Sequence, residues 1–156
     1  MKNLYKSLIL TCLLLGTSFA SMAHDVKGPT LFERLGGETK VRQIVADTWT
    51  NHTTNPIIKN RFANSDPTYV KQKVYEIFAM ATGADVKYTG KSMDSTHATM
   101  NINDMEFNAV VDDVLAALVK NNVSQNEQNE VLAILWSVKP SVVNSNLTTK
   151  TLTSVK

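Results

Sequence analysis

One cysteine stands in 156 residues, and it is Cys12. It lies inside an N-terminal stretch that reads as a removable leader, so the mature chain is expected to carry no thiol. Such a chain has no disulfide, no thiolate nucleophile and no thiolate metal ligand. Its chemistry is left to histidine, carboxylates, hydroxyls or a cofactor. Charge is also sparse, at 19% of residues with a formal net charge of +2. Setting aside Lys2 and Lys6 of the leader reduces 16 basic residues to 14, against 14 acidic ones, a net charge of zero. A neutral surface gives polyanions no electrostatic hold, so nucleic acid is not an expected partner. There is no glycine-rich phosphate loop, no two-histidine helical zinc pattern and no internal repeat. No alternating apolar segments bounded by hairpin turns point to a sheet. With 43% hydrophobic residues, the chain has the makings of one globular domain.

The N-terminus has the parts of a secretory signal. Lys2 and Lys6 form a positive region, and Leu8 to Leu15 an apolar core interrupted by Thr11 and Cys12. Ser21-Met22-Ala23 then places small residues at a cleavage site, which makes residues 1–23 a signal peptide and His24 the first mature residue. The apolar run is short for a membrane span, the competing reading. Apolar residues continue after Cys12, and Thr11 stands where a lipoprotein signal has a small residue, so no lipid anchor is expected.

Downstream of the leader the chain reads as helices. Thr30 caps a short helix from Leu31, with Glu33 in its first turn, and Gly36-Gly37 stops it. Val41, Ile44, Val45, Thr48 and Trp49 repeat at helical spacing and predict the buried face of a second helix ending before Pro56. Asp66-Pro67 opens a third, with the stripe Val70, Val74, Ile77, Phe78 and Ala81, closed by Gly83. From Asp85 to Met100 the pattern is a loop with one short helix. Asn103 with Glu106 resembles a capping box ahead of Phe107, Val110, Val111, Val114, Leu115 and Leu118. Ser124 with Glu127 repeats that device ahead of Val131, Leu132, Leu135, Trp136 and Val138, and Pro140 is predicted to end the helix. Residues 144–156, rich in Ser, Thr and Asn, are expected to be a flexible C-terminal tail after a domain spanning 24–143.

Of the three histidines, His97 has the most telling surroundings. Met93 and His97 are four apart and share one face of a helical turn. Ile102 and Phe107 can close the same apolar surface. A neutral imidazole on such a wall suits the axial position of a haem iron. The same features also suit a surface or core-bonded histidine.

The ordered set Leu31-Phe32-Glu33-Arg34-Leu35-Gly36-Gly37, Asn55-Pro56, Phe62, Thr82-Gly83-Ala84, Tyr88-Thr89-Gly90-Lys91-Ser92-Met93 and His97 resembles the group I truncated haemoglobins from Leu31 to Val143. That resemblance implies an all-α truncated globin, a two-over-two helical sandwich around haem b. It implies His97 as proximal iron ligand and Phe62 packed on the haem, with Val70, Val74, Met93, Ile102 and Phe107 along the cofactor. Lys91 and Lys71 would be propionate partners or solvated lysines. On the distal side it places Trp49 where many members have tyrosine and Val74 where they have glutamine, so the usual oxygen cage is absent. The indole N–H of Trp49 can donate to a bound ligand or the ring can simply fill space. Lys73 occupies a position from which some members supply a sixth iron ligand; otherwise it is solvated or paired.

The function so implied is reversible binding of oxygen or another diatomic gas such as nitric oxide, in an exported protein that acquires haem in the periplasm. A nitric oxide dioxygenase or peroxidase-like enzyme is the alternative. It would need an external electron donor, because this chain has no flavin or nicotinamide domain. A haem-free interaction module is the third reading. The chain is expected to be a monomer or weak dimer.

Overall fold

Thr30 starts the first helix as predicted. Its hydroxyl accepts the Glu33 N–H at 3.2 Å and the Glu33 carboxylate accepts the Thr30 N–H at 2.7 Å, a closed capping box at the head of α1 (Leu31–Arg34). The computed structural model describes residues 28–143. The leader with its Ala23 cleavage site and the tail from 144 lie outside the described residues.

Gly36 and Gly37 both take positive φ, 97° and 69°, where a side chain is strained. The double glycine therefore lets the chain turn directly from α1 into α2 (Gly37–Thr54). A single 3-10 turn, Lys59–Phe62, leads to α3 (Pro67–Ala81), where the Asp66 carboxylate accepts the Thr68 N–H at 2.8 Å ahead of Pro67. The short α4 (Met93–His97) follows a loop, and α5 (Asp104–Lys120) begins with the expected Asn103–Glu106 box. The last helix is α6 (Gln125–Val142). Among the described residues there is no strand, only an isolated parallel bridge between Ile102 and Val143. None of these helices is long and apolar enough to cross a membrane.

Two terminal signals act differently from the prediction. Ser124 occupies the N-cap of α6 but makes no cap bond; its hydroxyl turns to the Glu127 carboxylate. That carboxylate also takes Arg34 of α1 at 2.8 Å, and the ion pair draws it away from the backbone it would have capped. Pro140 lies inside α6 and does not end it. A proline deletes one intrahelical bond, but here it falls in the last turn, and the Val143 N–H still reaches the Lys139 carbonyl at 2.9 Å.

Helix α2 pairs with α3, α5 pairs with α6, and the broadest contact is α2 against α5, the two-over-two arrangement. The core sits at the α1 end, where Val41, Ile44, Ala79, Ala117, Leu118 and Val131 are at most 1% exposed. Burying each of the larger of these stabilises the fold by roughly 1.5–3 kcal/mol. A second, smaller cluster joins Ile102, Phe107 and Val111. Helix α3 departs from its predicted stripe. It enters the core through Tyr75 and Ala79, while Val74 remains 38% exposed and Ala81 is exposed. The helical period is right, but Val70 and Val74 lie outside the buried face that meets the core.

Candidate functional site

The expected site residues fall into two groups, the walls of a candidate cleft, built from different elements. On the first, Trp49 near the end of α2 meets Phe62 of the 3-10 turn edge to face, with centroids 5.5 Å apart and planes at 79°. Both rings are half-buried, and the Trp49 indole N–H donates to no protein acceptor among the described residues. Val70, half-buried, and Val74 extend this wall along α3.

The other wall is α4 with the start of α5. Ser92 caps α4 by accepting the Ser95 N–H at 3.2 Å. This places Met93 and His97 one turn apart, and His97 Nδ1 lies 2.8 Å from the Met93 carbonyl. A carbonyl only accepts, so Nδ1 carries the proton and the lone pair of the neutral ring is on Nε2. The ring is half-buried; Ile102 and Phe107, which follow it in the chain, are buried in the smaller core cluster against α6, where the Phe107 ring lies 5.5 Å from Trp136. Three expected residues, Met93, Ile102 and Phe107, thus lie on or beside the element that carries His97.

The loop into α4 owes its shape to the Tyr88–Lys91 segment. The Tyr88 hydroxyl donates to the Lys91 carbonyl at 2.7 Å, and its ring covers Gly90 so closely that a Cβ there would lie 2.2 Å from Tyr88 Oη. A larger residue at this position would require the Tyr88 ring to move. Lys91 itself is exposed. Glu76 of α3 anchors the same loop by accepting the Thr89 N–H at 3.0 Å and its hydroxyl at 2.8 Å. The Gln72 amide, followed by these Thr89 donors, holds the Glu76 carboxyl down at about 2, against the opposing effect of burial.

Lys73 belongs to this cluster. Its ammonium lies 3.0 Å from Glu76 Oε2 and is hydrogen-bonded to the Thr89 hydroxyl. To serve as a ligand in the cleft it would have to leave both. His52, one turn beyond Trp49, is turned to α5: its Nδ1–H donates to Asp113 at 2.8 Å while its ring stacks on Phe62 at 5.2 Å. Burial lowers the His52 pKa below its ordinary value despite Asp113.

Three polar groups around the cleft escape sequence reasoning: Asp113, Glu76 and Arg61. Glu76 had a readable signal in part, since Gln72 and Lys73 stand four and three residues before it on the same helix. Asp113 and Arg61 have none, because their partners lie 39 to 62 residues away without fixed spacing.

Trp49, Phe62, Val70, Val74 and Met93, which the protein leaves partly uncovered, together with one imidazole offering a free Nε2, fit a flat apolar group with a metal needing an axial donor. Among the described residues no three His, Cys, Asp or Glu side chains gather to hold a bare ion. A metal at His97 would have to bring its other donors with it.

Known proteins share this arrangement. The bacterial-like globin family pattern matches residues 30–144. A group 1 truncated haemoglobin of Synechocystis is 32% identical over 111 residues, covering 67% of this chain and 88% of that protein. The crystal structure of the Fe(III) form of truncated haemoglobin from Tetrahymena pyriformis superposes with a TM-score of 0.72 at 23% identity, covering 74% of this chain and 99% of that one. The 2/2 haemoglobin of Synechococcus, a cyanomet structure with covalently attached haem, gives 0.67 at 27% identity, covering 71% and 94%.

Proposed function

The chain belongs to the bacterial-like globins, and within them to the group 1 truncated haemoglobins, and from that premise we propose that it holds haem b on His97 and reversibly binds oxygen or nitric oxide on the opposite face. Haem-based binding of a diatomic gas is the property that membership carries. The observation that supports the finer reading is the hydrogen bond from His97 Nδ1 to the Met93 carbonyl, which leaves Nε2 as the donor. A second-row bond of this kind also fixes ring orientation and raises ligand basicity. Bound haem supplies an iron with one open coordination position for the gas.

The remaining roles belong to the chain. Phe62, Val70 and Val74 would cover one haem face, and Met93, Ile102 and Phe107 the other, keeping water from the iron. Trp49 would donate a hydrogen bond to a ligand carrying partial negative charge, or its ring would simply fill space beside Phe62. Lys73 is held by Glu76 and Thr89, and iron ligation by its amine would require it to be released and deprotonated. Cleavage near Ala23 and a periplasmic destination complete the proposal; protein recovered from the periplasmic fraction should begin at His24.

The test is the absorption spectrum of haem-reconstituted residues 24–156, ferric and ferrous, beside a His97→Ala control. A Soret band that changes with the substitution supports the proposal. No haem uptake, or a spectrum indifferent to His97, would overturn it. A low-spin ferric spectrum that turns high-spin in Lys73→Ala would add the internal ligand.

A further inference from the structure

Helix α4 is too short to hold His97 by itself. It has five residues, far below the length at which a helix is stable alone. The chain leaves it through Asn101 at φ 49°, a left-handed turn that asparagine adopts readily. The tie that holds this turn in place comes from outside α4. Arg61, the residue before Phe62, reaches across with its whole guanidinium. Nε and Nη2 lie 2.8 and 2.7 Å from Glu106 Oε1, and Nη1 lies 2.6 Å from the Met100 carbonyl. The N–H of Met100 donates in turn to the His97 carbonyl at 3.0 Å. The second Glu106 oxygen accepts the Asn103 N–H at 3.1 Å, closing the cap of α5. Thus both ends of the loop between His97 and α5 are tied to one side chain.

We infer that Arg61 is a positioning residue for His97: through Met100 and Glu106 it sets the loop that carries the imidazole, and through its neighbour Phe62 it links that loop to the distal wall. Only arginine fits the role. Its rigid fork meets a carboxylate and a carbonyl at once, whereas a lysine ammonium is a single point charge on a flexible stem. The Arg61 side chain is one-third exposed and the Glu106 side chain 11% exposed, so the bonds are partly shielded from water. The Phe62 ring, adjoining Arg61 in the chain, rests against Trp49 and His52. Two successive residues therefore touch both sides of the cleft. A ligand that shifts Phe62 would be felt at the proximal loop.

This inference rests on the proposed haem site, and the experiment separates the two. The iron–histidine vibration is recorded by resonance Raman on ferrous haem-loaded protein. A wild-type band that His97→Ala abolishes supports the haem site. Given that band, Arg61→Ala is expected to shift or split it and to speed haem loss about tenfold, with Arg61→Lys between it and wild type. Glu106→Gln can still accept from Asn103 but presents an amide NH2 to Arg61, and the same shift is expected. In haem-free protein, Arg61→Ala should also speed amide exchange at residues 99–103 while leaving the α2 core unchanged, a readout that needs no cofactor. An unmoved band in both Arg61→Ala and Glu106→Gln, or unchanged exchange, would overturn the clamp while leaving the haem site intact. Absence of the band from both the wild type and Lys73→Ala, whose iron has no internal sixth ligand, would overturn the haem site itself.

Discussion

The two faces of α3 are made of similar residues and live in different worlds. On one, Tyr75 and Ala79 are 5% and 0% exposed against α2. On the other, Val74, next to Tyr75 in the chain, is 38% exposed, and Val70 is only half-buried. The same split runs along α2, from fully buried Val41 and Ile44 to half-buried Trp49. At the α1 end, apolar side chains satisfy each other. Around the cleft they wait for something the chain does not contain. Surface apolar residues are ordinary one at a time. A set of them on α2, the 3-10 turn and α3, in a chain that also offers an imidazole with a free nitrogen, suits the group proposed to cover them.

Removing a side chain from each end should expose this contrast. The largest effect belongs to Leu118→Ala, which empties a fully buried site and should cost about 3 kcal/mol in denaturant unfolding of the haem-free chain. Next is Trp49→Phe. It keeps an aromatic ring against Phe62 but removes the indole N–H, and gas dissociation followed by flash photolysis should quicken about tenfold. Val74→Ala is the mirror of Leu118→Ala: haem-free stability should change by less than about 0.5 kcal/mol, while haem transfer to a competing apoglobin should accelerate measurably. Equal losses of haem-free stability from Val74→Ala and Leu118→Ala would erase the distinction between the two ends.

The smallest effect concerns His52, at the border of the two regions. Burial places its folded pKa below the ordinary 6.5, so the unfolded chain takes up a proton first as pH falls. The stability associated with a neutral His52 is therefore fully present above about pH 6.5 and drains away below it. Asp113 opposes the burial and keeps the change small. Thermal midpoints from pH 7.5 to 5 should decline in the wild type and flatten in His52→Gln, which can still donate to Asp113.

Helix starts and stops were legible because they depend on neighbours in the chain. Thr30 with Glu33, Asp66-Pro67 and Asn103 with Glu106 act as their local chemistry dictates. Ser124 fails for the opposite reason: its partner Glu127 is claimed by Arg34, 93 residues away. Helical period located the apolar stripe of α3 but could not say which of its members meet protein, since that depends on how α3 is laid on α2. His97, Met93, Ile102 and Phe107 could be grouped because fewer than fifteen residues separate them. Arg61 and Glu106 are 45 apart, and no pattern of residue types links them. Long-range polar ties are written in three dimensions only.

The isolated bridge between Ile102 and Val143 bears on when the site can come into being. Val143 closes α6, so the ribosome has already made α1 through α5 before the residue that pairs with Ile102 exists. Arg34, near the start, likewise waits for Glu127 and Glu130. Domains generally fold as units once their chain is available. The His97 wall is thus finished last in the order of synthesis, and a growing chain cannot capture its cofactor in a completed cleft. In the proposed haem protein, loading would therefore follow completion of the polypeptide.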